Sequence, residues 1–392
     1  MIKEFVPISK EECCGCTMCS DICPVSAINI QSDSEGFNYP VINKDVCIKC
    51  GLCGKLCAFA NKSGKQNVEN MPKSYIAKHK ICDVRMNSRS GGVFVACSDY
   101  ILEQGGIVYG CVLNEDMKAV HIRADNKKDR NRMCRSKYVQ SDTKGIYKLI
   151  ADDLSANKPI LFTGTGCQVD ALNSYLKQNK IDISNLYTID IICHGVPSPM
   201  IFSDFIKWTE KKYNGKMTEF NFRDKTKRGW DGYVETFTVN EKKYSGATYR
   251  DLFNTDCNIR PSCYNCKYTN VARVADITIG DAWGIKELKP EFNDNRGVSL
   301  VILNTEKAIK LFSEVNKLCD VVEVPLEKML QPNLIKPSKP RRDREKFWSV
   351  YFSGGIDSLI KEYAPRPVSK RIKENLKYSL RKIKKQKGYY LP

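Results

Sequence analysis

The sequence predicts an α/β protein, α+β overall, in which a small cysteine-rich module precedes a large α/β domain. Three observations carry that prediction. Cys13, Cys16, Cys19 and Cys23 recur 34 residues later as Cys47, Cys50, Cys53 and Cys57, and each set reads C-x2-C-x2-C-x3-C, so residues 1–60 form one repeated unit. Downstream, β-branched runs alternate with amphipathic helical patterns, the order that builds a parallel sheet covered by helices. The chain has 392 residues, enough to bury a core without crosslinks, so its 19 cysteines are not needed as staples.

Each element follows in chain order. Residues 61–73, NKSGKQNVENMPK, are polar, contain Gly and Pro, and read as a linker. The large domain spans residues 74–345. Its buried strands are GGIVYGCVL (105–113), PILFTG (159–164), YTIDIIC (187–193) and VSLVILN (298–304), all rich in β-branched residues. Helical patterns lie between them, at IYKLIADDLSAN (146–157) and QVDALNSYLKQ (168–178). Residues 346–392 read as a basic helical tail, in which Ile372, Leu376, Leu380 and Ile383 fall at helical spacing among Lys and Arg. Such a helix suits an anionic membrane face or an acidic partner, or rests its stripe on its own domain.

No amino-terminal stretch joins a basic segment to an apolar run and a cleavage site, and no apolar stretch approaches the roughly 20 residues that cross a bilayer. The expected location is cytoplasmic, with the tail as the candidate for membrane association. In a reducing compartment cysteines read as metal or redox ligands before disulfides, and an odd count argues against full pairing.

A C-x2-C-x2-C loop presents three thiolates from one turn of chain, which suits an iron-sulfur cubane that takes its fourth ligand from elsewhere. Zinc is the competing reading of C-x2-C, but it wants two separated pairs per tetrahedron, whereas here eight thiols stand in a doubled register. Residues 1–60 resemble the two-cluster bacterial ferredoxin module. The resemblance assigns Cys13, Cys16, Cys19 and Cys57 to one 4Fe-4S cluster, and Cys47, Cys50, Cys53 and Cys23 to a second. Pro24 follows the first run as that pattern expects, while Ala58 replaces the second proline; Cys14 is surplus and reads as a small packed thiol. The formal charge of +18 would suggest nucleic acid, but thiolate-bound clusters and a flavin pyrophosphate reduce it, so nucleic acid is not the expected partner.

In the large domain SRSGGVF (88–94) is a Ser/Gly turn entering an apolar run. ILFTGTGCQVDAL (160–172) is strand, Gly-rich turn and helix, the arrangement that points a helix amino terminus at an anion. CHGVPSP (193–199) closes another strand, and RPSCYNCKYTNVARVADITIGDAWG (260–284) holds a C-x2-C pair followed by Asp276, Asp281 and Trp283. With CRSKYVQS and FRDKTKRGW between them, these stretches resemble, in order, the beta subunit family of coenzyme F420 hydrogenases and dehydrogenases. The resemblance implies a flavin-binding α/β domain with FAD, a third 4Fe-4S cluster, and hydride exchange between flavin and a deazaflavin coenzyme.

By matching position, the resemblance nominates Cys167, Cys193, Cys263 and Cys266 as third-cluster ligands, with Cys257 in reserve. Gly166 stands where the family commonly has Pro. For FAD it nominates Ser90, Gly91, Gly92, Lys137, Thr163, Gly164, Thr165, Arg223, Asp281 and Trp283. Backbone amides and cations suit a pyrophosphate, and Trp suits a flat ring. Cys82, Cys97, Cys111, Cys134 and Cys319 read as packing residues, and His194, beside Cys193, as a histidine bonded to a neighbouring carbonyl.

The expected function is an iron-sulfur flavoprotein oxidoreductase of electron transport in an anaerobic host. A redox partner protein or ferredoxin would serve at one end and a small-molecule hydride donor or acceptor at the other. No side-chain acid, base or nucleophile is demanded, so catalytic residues are left unassigned. The basic stretch PRRDREK (340–346) and the tail suggest a membrane-proximal role in surface-polysaccharide synthesis. A non-catalytic subunit docking on a separate oxidoreductase is the alternative.

Overall fold

The computed structural model describes residues 9–61 and 72–365. The basic stripe at 372–383 and nearly all of the linker lie outside the described residues.

The cysteine-rich module is built around a hairpin, β1 (Ile28–Ser32) and β2 (Asn38–Ile42), with Ile28 opposite Ile42. Asp33 makes its turn, accepting the amides of Glu35 and Phe37 at 3.0 and 2.9 Å, as Asp does in turns. Phe37 is thereby aimed out of the module and is fully buried among Ile201, Leu252 and Phe347.

The large sheet has eight strands: β3 (Lys73–His79), β4 (Ile107–Leu113), β5 (Ala119–Ala124), β6 (Ile160–Thr165), β7 (Leu186–Ile191), β11 (Ile277–Asp281), β12 (Ser299–Leu303) and β13 (Cys319–Glu323). Their order is β13-β3-β12-β11-β7-β6-β4-β5. The expected parallel pairing holds in the middle, for β4–β6, β6–β7 and β7–β11. The flanks are antiparallel because of their connections. Residues 114–118 join β4 to β5 through a turn whose Asn114 side chain accepts two amides, and so short a link can only fold the chain back on itself.

Helices Val93–Glu103 and Glu306–Val315 pack one apolar cluster against the sheet. Helices Ile146–Ser155 and Gly166–Gln178 pack another, around Tyr109 and Phe162. Three antiparallel strands, β8 (Met217–Asp224), β9 (Val234–Val239) and β10 (Lys242–Gly246), form a separate small sheet over Phe202, Phe205 and Tyr249. The helix Arg344–Tyr363 buries Phe347, Trp348 and Tyr351, and Arg344 pairs with Glu35 of the β1–β2 turn at 2.8 Å. In the basic stretch that opens it, Arg341 pairs with Asp256 and Lys346 with Glu362, each at 2.8 Å, so these cations face internal carboxylates. No helix of the described residues is long and apolar enough to cross a membrane.

Candidate functional site

The carboxyl ends of β6 and β7 lie side by side at one edge of the sheet, where α/β folds gather ligands. Thr165 ends β6 and caps the helix Gly166–Gln178: the Gln168 side chain accepts the Thr165 amide at 3.0 Å, and Thr165 Oγ1 lies 3.1 Å from Cys167 Sγ. Cys167 therefore stands in the first turn of a 13-residue helix, where unpaired amides favour a thiolate. Cys193 follows β7, and Gly195 turns the chain back with φ +107°, a conformation that L side chains rarely adopt. The Gly195 amide donates to Cys193 Sγ at 3.4 Å.

Cys263 and Cys266 enter on the short helical turn Pro261–Asn265. Their loop is tied to the sheet by Arg273, which pairs with fully buried Asp190 of β7 at 2.5 Å and donates to the Tyr268 carbonyl. Cys167, Cys193, Cys263 and Cys266 line one cavity, together with Cys14, His194 and Tyr268. Cys257 stands apart: it is buried, with Sγ donating to the carbonyls of Thr255 and Arg342 at 3.4 Å. The His194 carbonyl accepts from Ser338 at 2.7 Å, and burial lowers the pKa of its ring.

Six of the amino-terminal cysteines, Cys13, Cys14, Cys16, Cys19, Cys53 and Cys57, line a cavity of their own, and Cys23, Cys47 and Cys50 do not line it. Cys53 also feels the charges of Cys50 and Cys23. Burial pushes the thiols up: Cys19 well above its usual value, Cys57 and Cys193 to about 12, and Cys266 to about 11, with neighbouring cysteine charges adding to each shift. Such thiols ionise when a cation arrives, because it supplies the charge that water no longer does. Among the described residues no three His, Cys, Asp or Glu side chains close on a point the size of a single ion. The cysteines surround cavities instead, the disposition that thiolates take on the corners of a polynuclear core.

Arg260, fully buried, locks the two parts together. It donates to the carbonyls of Cys13 (2.6 Å) and Asn38 (2.9 Å) and to Gln140 (3.0 Å), reaches Cys13 Sγ at 3.4 Å, and lies over the Tyr39 ring. Thr143 donates to the Cys16 carbonyl at 2.8 Å, and Asp21 accepts the Gly145 amide at 3.0 Å. Arg260 and Gln140 lie within the quoted stretches RPSCYNC and CRSKYVQS, but nothing in their spacing marks them as partners of the cysteine-rich module, and Thr143 belongs to no motif.

Of the residues nominated for a flavin, six lie in one region, linked through Arg89, which pairs with Asp281 and lies 5.6 Å from the Trp283 ring centroid. Ser90 and Gly91 bond to β12 and its approach, and Gly92 starts the helix Val93–Glu103. Asp281, ending β11, pairs with Arg89 at 2.7 Å and accepts from Trp230 at 3.1 Å. Trp230 stacks on Trp283 with centroids 5.2 Å apart. Arg223 lies 3.8 Å from the Tyr233 ring centroid and 5.9 Å from that of Trp283. Arg223 Nε, Arg89 Nε and the Tyr233 hydroxyl are buried without hydrogen-bond partners, and each such donor costs free energy until something accepts from it. Arg89 and Tyr233 are not among the nominated residues, although Arg89 adjoins the SGG turn.

The other nominees lie elsewhere. Thr163 packs on β4, with Oγ1 donating to the Tyr109 carbonyl, and Gly164 follows it in β6. Lys137 donates to the carbonyls of Cys134 (2.8 Å) and Arg132 (2.9 Å), and burial lowers its pKa to about 8. It lines a cleft of about 680 Å³ between the segment 127–137 and strands β8 and β9, with Arg130, Arg132, Arg135, Phe220 and Phe222.

Comparison with known proteins joins these features to a family. Residues 157–327 match the family described as the C terminus of the coenzyme F420 hydrogenase/dehydrogenase beta subunit. The chain is 23% identical over 358 residues to a coenzyme F420-dependent sulfite reductase of Methanocaldococcus jannaschii, covering 88% of this chain and 53% of that protein. It is 25% identical over 185 residues to the beta subunit of an F420-dependent formate dehydrogenase of the same organism, covering 47% and 44%. The chain spans about half the length of these curated relatives. A chain of the xenon-derivatised F420-reducing NiFe hydrogenase complex of Methanosarcina barkeri aligns with TM-score 0.46 at 16% identity, over 75% of this chain and 97% of that one. Over residues 157–327, the chain is thus similar to the coenzyme F420 hydrogenase/dehydrogenase beta subunit family.

Proposed function

We propose that the chain is an iron-sulfur flavoprotein oxidoreductase, exchanging single electrons between cysteine-held 4Fe-4S clusters and FAD, and hydride with a coenzyme F420-like or other organic substrate. One observation carries the reading. Cysteines from separate segments, at 14, 167, 193 and 263–266, meet around a single buried cavity at the ligand-gathering edge of the sheet. The donor set fits iron-sulfur chemistry, since it is all sulfur, water-excluded and approached by the Gly195 amide.

In this reading the ligands are Cys13, Cys16, Cys19 and Cys57, and Cys47, Cys50, Cys53 and Cys23, as the ferredoxin resemblance implies, with Cys167, Cys193, Cys263 and Cys266 at the interior site. The residues around Trp283 fit a flavin. The orphaned donors of Arg89, Arg223 and Tyr233 supply partners for an anionic or carbonyl-bearing ring system, and Trp283, 42% exposed, offers a flat apolar face. Bound there, a flavin would supply exchange between one- and two-electron chemistry. Asp281 holds Arg89 and Trp230 in place, and Lys225 fixes the Ser90 turn by donating to the Ser90 and Arg296 carbonyls.

Anaerobic iron, sulfide and flavin analysis tests the scheme. It expects about twelve irons and one FAD per chain; iron without flavin removes the flavin part, and colourless protein removes the whole. Replacing Arg223 by Ala should lower flavin content while leaving iron unchanged.

The similarity to the beta subunit of a formate dehydrogenase favours a second reading, an electron-transfer subunit of a larger assembly. Steady-state dye reduction by the isolated chain with a hydride donor would exclude it. A polysaccharide role would require a membrane-bound substrate, and binding to anionic vesicles at low salt tests for one.

A further inference from the structure

Among the described residues the chain buries three arginines, Arg85, Arg130 and Arg260. Two of them carry a carboxylate into the interior: Arg85 pairs with Asp294 and Arg130 with Asp99, each at 2.6 Å. Arg260 is the exception, because no carboxylate of the described residues pairs with it although it has no exposed surface. Its N–H groups are met by the Cys13 and Asn38 carbonyls, by the Gln140 amide oxygen and, 3.4 Å from Nη2, by Cys13 Sγ. The rings of Tyr39 and Phe37 lie beside it, with centroids 4.1 and 5.5 Å from the guanidinium carbon. These neighbours satisfy its donors, but only an anion cancels a charge held away from water.

The chain also makes room for this cation. In the first cysteine run Gly15 precedes Cys16, and at the matching place in the second run Lys49 precedes Cys50. Both have left-handed backbone, with φ +70° and +55°, so the loop accepts a side chain there and its conformation alone does not demand glycine. Space does. A Cβ at Gly15 would lie 2.6 Å from Arg260 Nη1 and 2.4 Å from Gln140 Nε2. The first run thus departs from its repeat where the guanidinium enters. Arg260 itself stands three residues before Cys263, so the loop that brings Cys263 to the interior cavity also brings a cation to the amino-terminal one.

We propose that Arg260 is a counter-charge built into the Cys13 site: the group that Cys13 helps to hold is anionic, and the buried guanidinium weights it toward its more electron-rich form. This rests on the iron-sulfur reading above and deepens it. Four thiolates outweigh the positive charge of the core they hold, so the assembled site is an anion, and each added electron makes it more so. A guanidinium keeps its proton throughout the working pH range, so the bias it exerts is fixed. Arg260 bonds to a ligand's sulfur and to no reacting atom, which makes it a positioning residue that acts through Cys13. Attraction at this range inside a protein is worth a factor of about ten in the ratio of reduced to oxidised site.

The test is a dithionite titration of anaerobically prepared full-length protein, followed by electron paramagnetic resonance and compared with Arg260→Gln and Arg260→Lys on the iron each retains. Arg260→Gln, which keeps hydrogen-bonding groups and loses the charge, is expected to lower the reduced-to-oxidised ratio of one signal about tenfold at a fixed potential and to leave the other signals in place. Arg260→Lys, which keeps the charge, should hold most of the parent's ratio. Lost packing alone would act on both variants alike, so equal shifts in the two overturn the proposal, as does an unchanged ratio in Arg260→Gln or a shift shared by every signal. Should Arg260→Gln not fold, Gly15→Ala decides, since its Cβ displaces the guanidinium without removing any charge: a fall in the same ratio supports the proposal, and an unchanged one overturns it. Absence of iron from the parent protein would instead refute the iron-sulfur reading, an outcome visible before any variant is made.

Discussion

The residue that most depends on its surroundings is Arg260. A guanidinium with no exposed surface is tolerated because it is surrounded by acceptors: two carbonyls, an amide oxygen and a cysteine sulfur. Replacing it with Ala strands those acceptors in a dry interface, and unfolding experiments should show a loss of about 3 kcal/mol. Arg260→Lys keeps the charge without the planar fork and should recover only part of that loss. Since Arg260 also shapes the turn at Gly15, both variants should retain less iron than the parent when purified anaerobically. Arg223 is the complementary case, a half-buried cation whose buried Nε lacks an acceptor, the state of a donor that a ligand would complete.

Among the elements, the entry to the helix Val93–Glu103 and the pairing of β5 with its neighbours make separate predictions. At Gly91 a Cβ would fall 2.1 Å from the Ala77 carbonyl and 2.6 Å from the Ser299 amide, backbone atoms of the adjoining strands β3 and β12. Gly91→Ala must push that turn off the sheet, costing about 1–3 kcal/mol in denaturant titrations and loosening the Ser90–Asp281 region.

His121 on β5 donates from Nε2 to the Thr163 carbonyl of β6 at 3.0 Å, and its Nδ1 is buried without a partner. Protonation would put a charge where nothing accepts it, and burial accordingly lowers the pKa to about 4. The unfolded chain takes up a proton near pH 6.5 and the folded chain only near pH 4. Stability is therefore full above the first value and falls as pH drops toward the second, by on the order of 3 kcal/mol. Denaturation midpoints across that window should show this slope, and His121→Leu should flatten it.

For the whole molecule, the cysteine-rich module and the large domain share buried contacts: Phe37 inside the Phe347 cluster, Arg344 on Glu35, and Cys14 in one cluster with Cys167. Ligand binding at the module should therefore stabilise the rest. Removing iron anaerobically with a chelator is expected to lower the melting temperature of the full chain in one transition, since binding free energy at such sites is also folding free energy. Two well-separated transitions in calorimetry would contradict this coupling. Asp190→Ala should lower the same transition by about 3–5 kcal/mol of stability, because it leaves Arg273 charged and buried at the base of the Cys263–Cys266 loop.

The sequence by itself determined the alternating α/β order, strands β4, β6, β7 and β12 to within a residue or two though not the central β11, and which cysteines stand in register. These features are local: β-branched runs make strands wherever they lie, and a C-x2-C-x2-C loop brings its own thiols together. It did not show the antiparallel flanks, which depend on connection lengths and on strands such as β13 whose sequences are half polar. Nor did it show Arg89, Tyr233, Arg260 or the place of Cys14. Each of these acts through a partner distant in sequence, as Arg260 does on Cys13 across 247 positions. Spacing reports on neighbours along the chain, whereas burial without water, which makes an unpaired donor or a third sulfur matter, exists only once the chain has closed around it.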